Sequence, residues 1–108
     1  ISQAEASVVY EFTRDGELKL TLRNCTNFEN VHSVMYSIYS EDATEFIKSE
    51  IVLLESWDTP EEGGDGKTYL YVVKDWEPSS DRTYSYVIQY YRNDGELLGT
   101  TSGYFKKS

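Results

Sequence analysis

The chain has 108 residues, which is the size of one domain, and we expect a single domain over residues 1–108. Nineteen Asp and Glu against ten Lys and Arg give a formal charge of −9. So acidic a domain repels phosphate backbones and anionic bilayers, which argues against a nucleic-acid partner. No apolar run approaches the roughly 20 residues that cross a membrane, so we expect no membrane insertion.

The cysteine content and the start of the chain also narrow the class of protein. Cys25 is the single cysteine, which excludes an internal disulfide and with it the buried bridge of antibody-type domains. Residues 1–7 have neither the basic start nor the apolar stretch of a signal peptide. Because the initiator Met is missing as well, we expect the chain to be part of a larger or processed protein.

The first two predicted strands form a hairpin. Residues 8–13 and 17–23 both alternate apolar and polar side chains, which is the period of a half-buried strand. Asp15-Gly16 separates them and tolerates the positive φ of a tight turn. The same turn chemistry recurs at Asp94-Gly95, between a long strand over 84–91 and a last strand over 97–105.

Three more strands are predicted between these hairpins. They cover residues 33–39, 46–54 and 69–73, with a short helix over 43–50 as an alternative for part of the second. Residues 58–66 contain one Pro and three Gly and predict a loop. Seven strands separated by turns predict an all-β fold, a seven-stranded antiparallel sandwich of the immunoglobulin-like or fibronectin type III-like kind.

The connection before the sixth strand carries a family resemblance. Residues 76–87 read Trp-Glu-Pro-Ser-Ser-Asp-Arg-Thr-Tyr-Ser-Tyr-Val and resemble the corner that precedes the sixth strand of fibronectin type III and related bacterial immunoglobulin-like domains. Trp76 stands where that family often has Leu, and the gap before the Tyr is longer than usual. The resemblance implies that the hydroxyl of Tyr84 or Tyr86 bonds back to the upstream chain.

The order of predicted strands also resembles the immunoglobulin-like repeats that are appended to bacterial cell-surface hydrolases. That resemblance implies a non-catalytic accessory role and an extracellular or cell-surface location. It carries no functional residue to this chain.

The residues themselves predict no catalytic centre, so we expect no enzyme and no cofactor. His32 is the single histidine, which excludes His-based metal clusters, and it has no triad partner motif. Cys25 lacks a neighbouring base in its own segment. No nucleophile elbow, phosphate loop or dinucleotide fingerprint occurs.

An acidic loop is the alternative lead for a metal. Asp58, Glu61, Glu62 and Asp65 offer oxygen ligands of the type that calcium prefers, beside permissive glycines. The spacing is not that of an EF-hand. Solvated surface charge explains the acidic residues more simply, so we expect no metal site.

The aromatic residues are the stronger lead, because they make up 15% of the chain. Tyr and Trp join an apolar face to a polar tip and can stack on sugar rings. On the sixth strand Tyr84, Tyr86 and Tyr90 share one face and Tyr91 lies on the other. Packing in the core or at its rim is the competing interpretation for each Trp. The predicted carbohydrate-binding residues are Trp57, Trp76, Tyr39 and Tyr91.

The leading functional hypothesis is therefore a non-catalytic accessory module of a larger extracellular, bacterial protein, which binds polysaccharide through exposed aromatic residues. The alternative is an immunoglobulin-like spacer or protein-interaction module without a small ligand. In that case neighbouring domains of the same protein are the partners, and they bind the edge strands by strand addition.

Overall fold

The computed structural model describes residues 3–60 and 68–107 of the chain. Within them lie seven strands and one short 3-10 turn at Leu54–Ser56. The segment for which a helix was the alternative is strand β4, so that alternative is wrong. The strands are β1 Glu5–Phe12, β2 Leu18–Thr26, β3 Val31–Ser40, β4 Phe46–Leu53, β5 Tyr69–Val72, β6 Thr83–Arg92 and β7 Leu97–Lys106.

The seven strands form two sheets that face one another. One sheet has three strands in the order β1-β2-β5, and the other has four in the order β4-β3-β6-β7. Every pairing between these strands is antiparallel. The predicted all-β, seven-stranded antiparallel sandwich is therefore confirmed.

Both predicted hairpins are present, and a glycine makes each turn possible. Gly16 has φ of 88° and Gly95 has φ of 90°, a backbone region that costs other residues energy. The second turn is also tied down by Asp94, whose carboxylate accepts the backbone N–H of Glu96 at 3.0 Å. The strands that flank each turn pair directly with one another.

The core lies between the sheets and follows the period-two pattern of the sequence. Removing one such aliphatic side chain from water stabilises the fold by about 1.5–3 kcal/mol. The two sheets contribute alternate residues of their central strands. The main contributors are Leu18, Leu20 and Leu22 of β2, Val34, Tyr36 and Ile38 of β3, and Tyr84, Tyr86, Ile88 and Tyr90 of β6.

Tyr84 makes the corner hydrogen bond at the crossing from β5 to β6. Its hydroxyl accepts the backbone N–H of Ser79 at 2.8 Å, and its ring stacks on Phe105 with centroids 5.2 Å apart. The edge of Trp76 meets the Tyr84 ring at 5.3 Å. The guanidinium of Arg82 lies 4.9 Å from the ring centroid, within cation–π range. Of the two candidates for this role, Tyr84 fills it.

Strand β1 joins the two sheets at the other side of the sandwich. The backbone N–H of Ala4 donates to the carbonyl of Leu98 at 2.9 Å, and the Thr101 hydroxyl donates to the carbonyl of Ala6 at 3.3 Å. This close approach requires Gly99, because a Cβ there would clash with the Ala4 carbonyl oxygen. The N-terminal strand is therefore held by β7 as well as by β2.

Candidate binding surface

The outward side of the four-stranded sheet carries no charged side chain in any of its four rows. We call this surface the outer face. Its residues alternate with the core positions along each strand. The absence of charge in these rows contrasts with the chain as a whole, of which 27% is charged. Across β4, β3, β6 and β7 the rows are Phe46, Tyr39, Ser85, Tyr104; Ser49, Ser37, Val87, Ser102; Ile51, Met35, Gln89, Thr100; and Leu53, Ser33, Tyr91, Leu97.

The outer face also holds most of the exposed apolar surface of the described residues. Among the described residues, seven large hydrophobic side chains are strongly exposed, and five of these seven lie on the outer face. Grouped apolar exposure without charge is typical of a binding surface, whereas single exposed hydrophobic residues are ordinary. The five are Phe46, Ile51, Leu53, Leu97 and Tyr104.

The first row, which we call the aromatic row, has a gap at its third position. The rings of Tyr39 and Phe46 meet edge to face with centroids 5.9 Å apart. Ser85 lies between Tyr39 and Tyr104, and its hydroxyl donates to the carbonyl of Ser40 at 2.8 Å. Two strand spacings separate Tyr39 from Tyr104, about 10 Å between their backbones. A flat ring in van der Waals contact with an aromatic ring on each side needs about 7–8 Å, which is less than this backbone spacing.

The gap opens into a shallow groove of about 650 Å³. Val87 and Ser102, from the second row, form part of the floor, and small residues fill the rest of that row. Glu41 and Asp42 line one end and are the charged residues among its lining. The groove thus combines aromatic walls, serine hydroxyls and an acidic end.

Asp42 is held in place by the turn between β3 and β4. Its Oδ1 accepts the hydroxyl of Thr44 at 2.8 Å, the backbone N–H of Thr44 at 3.1 Å and the hydroxyl of Ser40 at 2.9 Å. The Thr44 hydrogen bonds, followed by the Ser40 hydroxyl, lower the pKa of the Asp42 carboxyl. The carboxylate therefore stays ionised at neutral pH.

Two of the four predicted carbohydrate-binding residues lie on the outer face. Tyr39 belongs to the aromatic row and lines the groove. Tyr91 lies in the fourth row beside Leu97. Three row spacings, about 20 Å, separate the two tyrosines, because two residues of a strand advance about 6.8 Å. They share one surface but not one site.

The two tryptophans lie away from the outer face, and the burial of Trp57 corrects the prediction that it presents a stacking face. Trp57 is 3% exposed and packs against Tyr71 with ring centroids 5.3 Å apart. Trp76 is half-buried against Tyr84 and Phe105. Aromatic rings of this size fill the rim of a small sandwich efficiently, and this packing leaves Trp57 without a free ring face.

Sequence reasoning missed Phe46 and Tyr104, which are both 62% exposed. The sequence signal that could have found Tyr104 was the alternation along the last strand, which places Thr100, Ser102 and Tyr104 on one side of that strand. Their position beside Tyr39 depends on the pairing of β3 with β4 and of β6 with β7, which alternation alone does not give.

The titratable residues singled out in the sequence are dispersed. His32 is exposed at the start of β3, and Cys25 is buried near the end of β2. His32 and Glu55 both line a hollow of about 380 Å³, but no hydrogen bond or ion pair joins them. In residues 3–60 and 68–107, no three His, Cys, Asp or Glu side chains are grouped to hold a metal ion. Of the four acidic residues weighed as calcium ligands, Glu61, Glu62 and Asp65 lie outside the described residues.

Fold and surface together define a β-sandwich domain with a groove on the outward side of its four-stranded sheet. No helix in the described part of the chain is long and apolar enough to cross a membrane. No family model matches the sequence, and no curated protein matches it.

Solved structures do resemble the chain. One is the FMN-binding beta-glucuronidase from Facaelibacterium prausnitzii L2-6, which matches with a TM-score of 0.51 and 21% sequence identity. The match covers 94% of this chain and 15% of that chain. This chain therefore spans a small fraction of that enzyme's length, and at this identity the likeness shows the fold alone.

Proposed function

We propose that this chain is a non-catalytic accessory module of a larger extracellular protein and that it binds polysaccharide on the outer face. The observation that supports this most is the gap between Tyr39 and Tyr104, above Ser85, beside rows of side chains that carry no charge. Sugar rings have apolar faces and polar edges. Aromatic walls and hydroxyl groups in one groove match both parts.

The hydroxyls of the outer tyrosines suit this role. The structure shows no hydrogen bond from the hydroxyl of Tyr39 or Tyr104 to another described residue, so both are available to water or a ligand. The side chain of Tyr104 is 62% exposed and needs no rearrangement to meet one. A ligand in the groove therefore gains contacts without displacing internal ones.

The groove favours binding over hydrolysis. A glycosidase holds two carboxyl groups on opposite sides of the bond that it cleaves. Glu41 and Asp42 are consecutive residues at one end of the groove, and the opposite wall is Tyr104 with Ser102. This arrangement supports a module that holds a sugar chain while a separate domain acts on it.

A second candidate function rests on the far end of the same face. Leu53, Tyr91 and Leu97 form the fourth row, next to Ile51 and Met35. Aliphatic and aromatic side chains without charges are typical of the buried centre of a protein interface. A neighbouring domain of the same protein would fit there, which is the spacer or protein-interaction alternative.

Affinity electrophoresis through gels that contain soluble polysaccharides tests the proposal. We expect at least one glycan to retard the chain, and Tyr104→Ala to weaken the binding about tenfold through loss of the stacking wall. Leu97→Ala is the matched control, because Leu97 is exposed on the same face but far from the groove.

The outcomes separate the two functions. Retardation that Tyr104→Ala weakens and Leu97→Ala preserves supports carbohydrate binding in the groove. If no neutral, amino or acidic glycan retards the chain, the proposal fails. Binding to a neighbouring domain that Leu97→Ala weakens would favour the protein-interaction function instead.

A further inference from the structure

We infer that the hollow lined by Trp57 binds a small uncharged ring compound, through an oxygen atom that accepts a hydrogen bond from the Trp57 indole. The hollow has a volume of about 380 Å³ and shares no lining residue with the groove of the outer face. The inference is therefore independent of the proposed carbohydrate function. It adds a second binding site to the chain.

The first step is a buried donor that has no acceptor. Within residues 3–60 and 68–107, Nε1 of Trp57 is the one buried side-chain polar atom without a hydrogen-bond partner. Only 3% of Trp57 is exposed, and burying an unpaired N–H costs free energy. An indole N–H donates and cannot accept, so the group that satisfies it must be an acceptor. Because Trp57 lines the hollow, a ligand there can supply an acceptor oxygen.

The second step is the fixed position of this tryptophan. The backbone N–H of Trp57 donates to the carbonyl of Leu54 at 3.0 Å. The next residue, Asp58, exchanges two backbone hydrogen bonds with Leu70 of β5, at 2.9 Å and 2.8 Å. The indole ring itself packs against Tyr71. The side chain therefore cannot turn its N–H towards water without losing this packing, and the acceptor has to come to it.

The third step is the character of the lining, which favours an uncharged ligand. The less exposed part of the lining is apolar or aromatic and consists of Val31, Leu54, Trp57 and Tyr69. The side chains of His32 and Glu55 are exposed. A charged group against the less exposed part loses its hydration without meeting an opposite charge there. Apolar walls with a few polar groups, in a hollow of this size, are typical of sites for small molecules.

The fourth step is access to the indole nitrogen. Nε1 is itself covered, so binding includes a small adjustment of the lining. The exposed side chains of His32, Glu55 and Thr59 have no hydrogen bond or ion pair with another described residue, so they are free to change rotamer. Changes of this kind commonly accompany binding without movement of the backbone.

Nuclear magnetic resonance titration of the isotope-labelled chain tests the inference. The chain has two Trp and therefore two indole N–H signals, and Trp76→Phe identifies the signal of Trp57 by leaving it alone. The probe is benzamide, a ring with a carbonyl oxygen, and toluene is the matched ring without an acceptor. We expect benzamide to move the Trp57 signal downfield with a Kd of about 1–10 mM, the scale of a ligand of this size. Toluene should cause no downfield shift.

Three variants place the binding in the hollow. Thr59→Phe puts a ring where the ligand would lie and should abolish the benzamide shift. Thr100→Phe makes the same change at an exposed position of β7 outside the hollow and should leave the shift unchanged. Trp57→Phe keeps an aromatic ring but removes the donor. It should weaken benzamide binding about fivefold, measured on the backbone signals of the other lining residues.

A downfield shift with benzamide alone, lost in Thr59→Phe and kept in Thr100→Phe, supports the inference. No shift of the Trp57 signal with benzamide overturns it, and so does an equal shift with toluene. A shift that persists in Thr59→Phe overturns the position of the site. None of these results changes the case for carbohydrate binding, which Tyr104→Ala tests in the groove.

Discussion

The two faces of the four-stranded sheet use the same residue type in opposite ways. On the inner face, the hydroxyls of Tyr36, Tyr84 and Tyr90 each have a protein partner, at 2.7 Å, 2.8 Å and 2.6 Å. On the outer face, no hydrogen bond joins the hydroxyl of Tyr39 or Tyr104 to another described residue.

This difference shows that the position of a tyrosine in the fold decides whether its hydroxyl bonds to the protein or stays available to a ligand. A buried hydroxyl without a partner costs free energy, and the fold supplies a partner for each of these three hydroxyls. Glu50, Ser79 and Thr101 supply the three partners of the inner face. On the outer face water supplies the partner, and a ligand can replace it.

Alkaline pH should have the largest effect, because it acts on several inner tyrosines together. Burial raises the pKa of the tyrosines in this group, and that of Tyr90 to about 12. In the unfolded chain they ionise near pH 10, so the unfolded state releases its protons first. Stability is therefore complete below pH 10 and falls as the pH rises towards 12. The group is Tyr36, Tyr69, Tyr71, Tyr86 and Tyr90.

Urea denaturation between pH 8 and pH 12 measures this fall. We expect a constant midpoint up to about pH 10 and a steep decline above it. Tyr90→Phe removes one of the titrating groups and should make the decline shallower, measured relative to its own value at pH 8. Equal midpoints at pH 9 and pH 12 would contradict the prediction.

Tyr84→Ala should have the next largest effect, a loss of about 3–5 kcal/mol in the free energy of unfolding. Tyr84 is 2% exposed, and its removal leaves a cavity beside Phe105 and Trp76. Tyr84→Phe keeps the packing and loses the corner hydrogen bond alone, so we expect about 0.5–1.5 kcal/mol. Chemical denaturation of both variants separates packing from hydrogen bonding, and similar losses in the two would show that packing contributes little.

Glu50→Ala tests the polar bridge between the sheets. The hydroxyls of Tyr36 on β3 and Tyr71 on β5 donate to the two oxygens of the Glu50 carboxylate, at 2.7 Å and 3.2 Å. Tyr36 is fully buried, so its hydroxyl loses its partner and the cost is about 1–3 kcal/mol. Glu29→Ala, at an exposed turn position, is the control and should change stability little. A thermal melt that is the same for both variants would rule out the bridge.

Tyr104→Ala should have the smallest effect on stability, within about 0.5 kcal/mol, because the side chain is mostly exposed. The same variant is the one that we expect to weaken glycan binding. A loss of stability comparable to that of Tyr84→Ala would mean that the outer face is structural. The contrast between the two faces would then disappear.

Much of the fold could be predicted from the sequence, and less of the site. Alternation over 17–23 and 84–91, with Gly16 and Gly95 at the turns, is local information, and the strands and hairpins followed from it. Tyr39 could be named as a candidate, but Tyr104 is 65 residues further along the chain. Nothing local indicates that Ser85 lies between them.

The sequence by itself determined the class of fold, because period-two alternation and turn residues act over a few neighbouring positions. It also separated the tyrosines of β6 into two sets. The tertiary structure alone decided which set is buried, how the strands are registered and that Trp57 belongs to the core. The physical reason is that the two faces of an isolated strand are equally exposed to water, and one becomes the core face only when a second sheet covers it. That covering depends on residues distant in the chain.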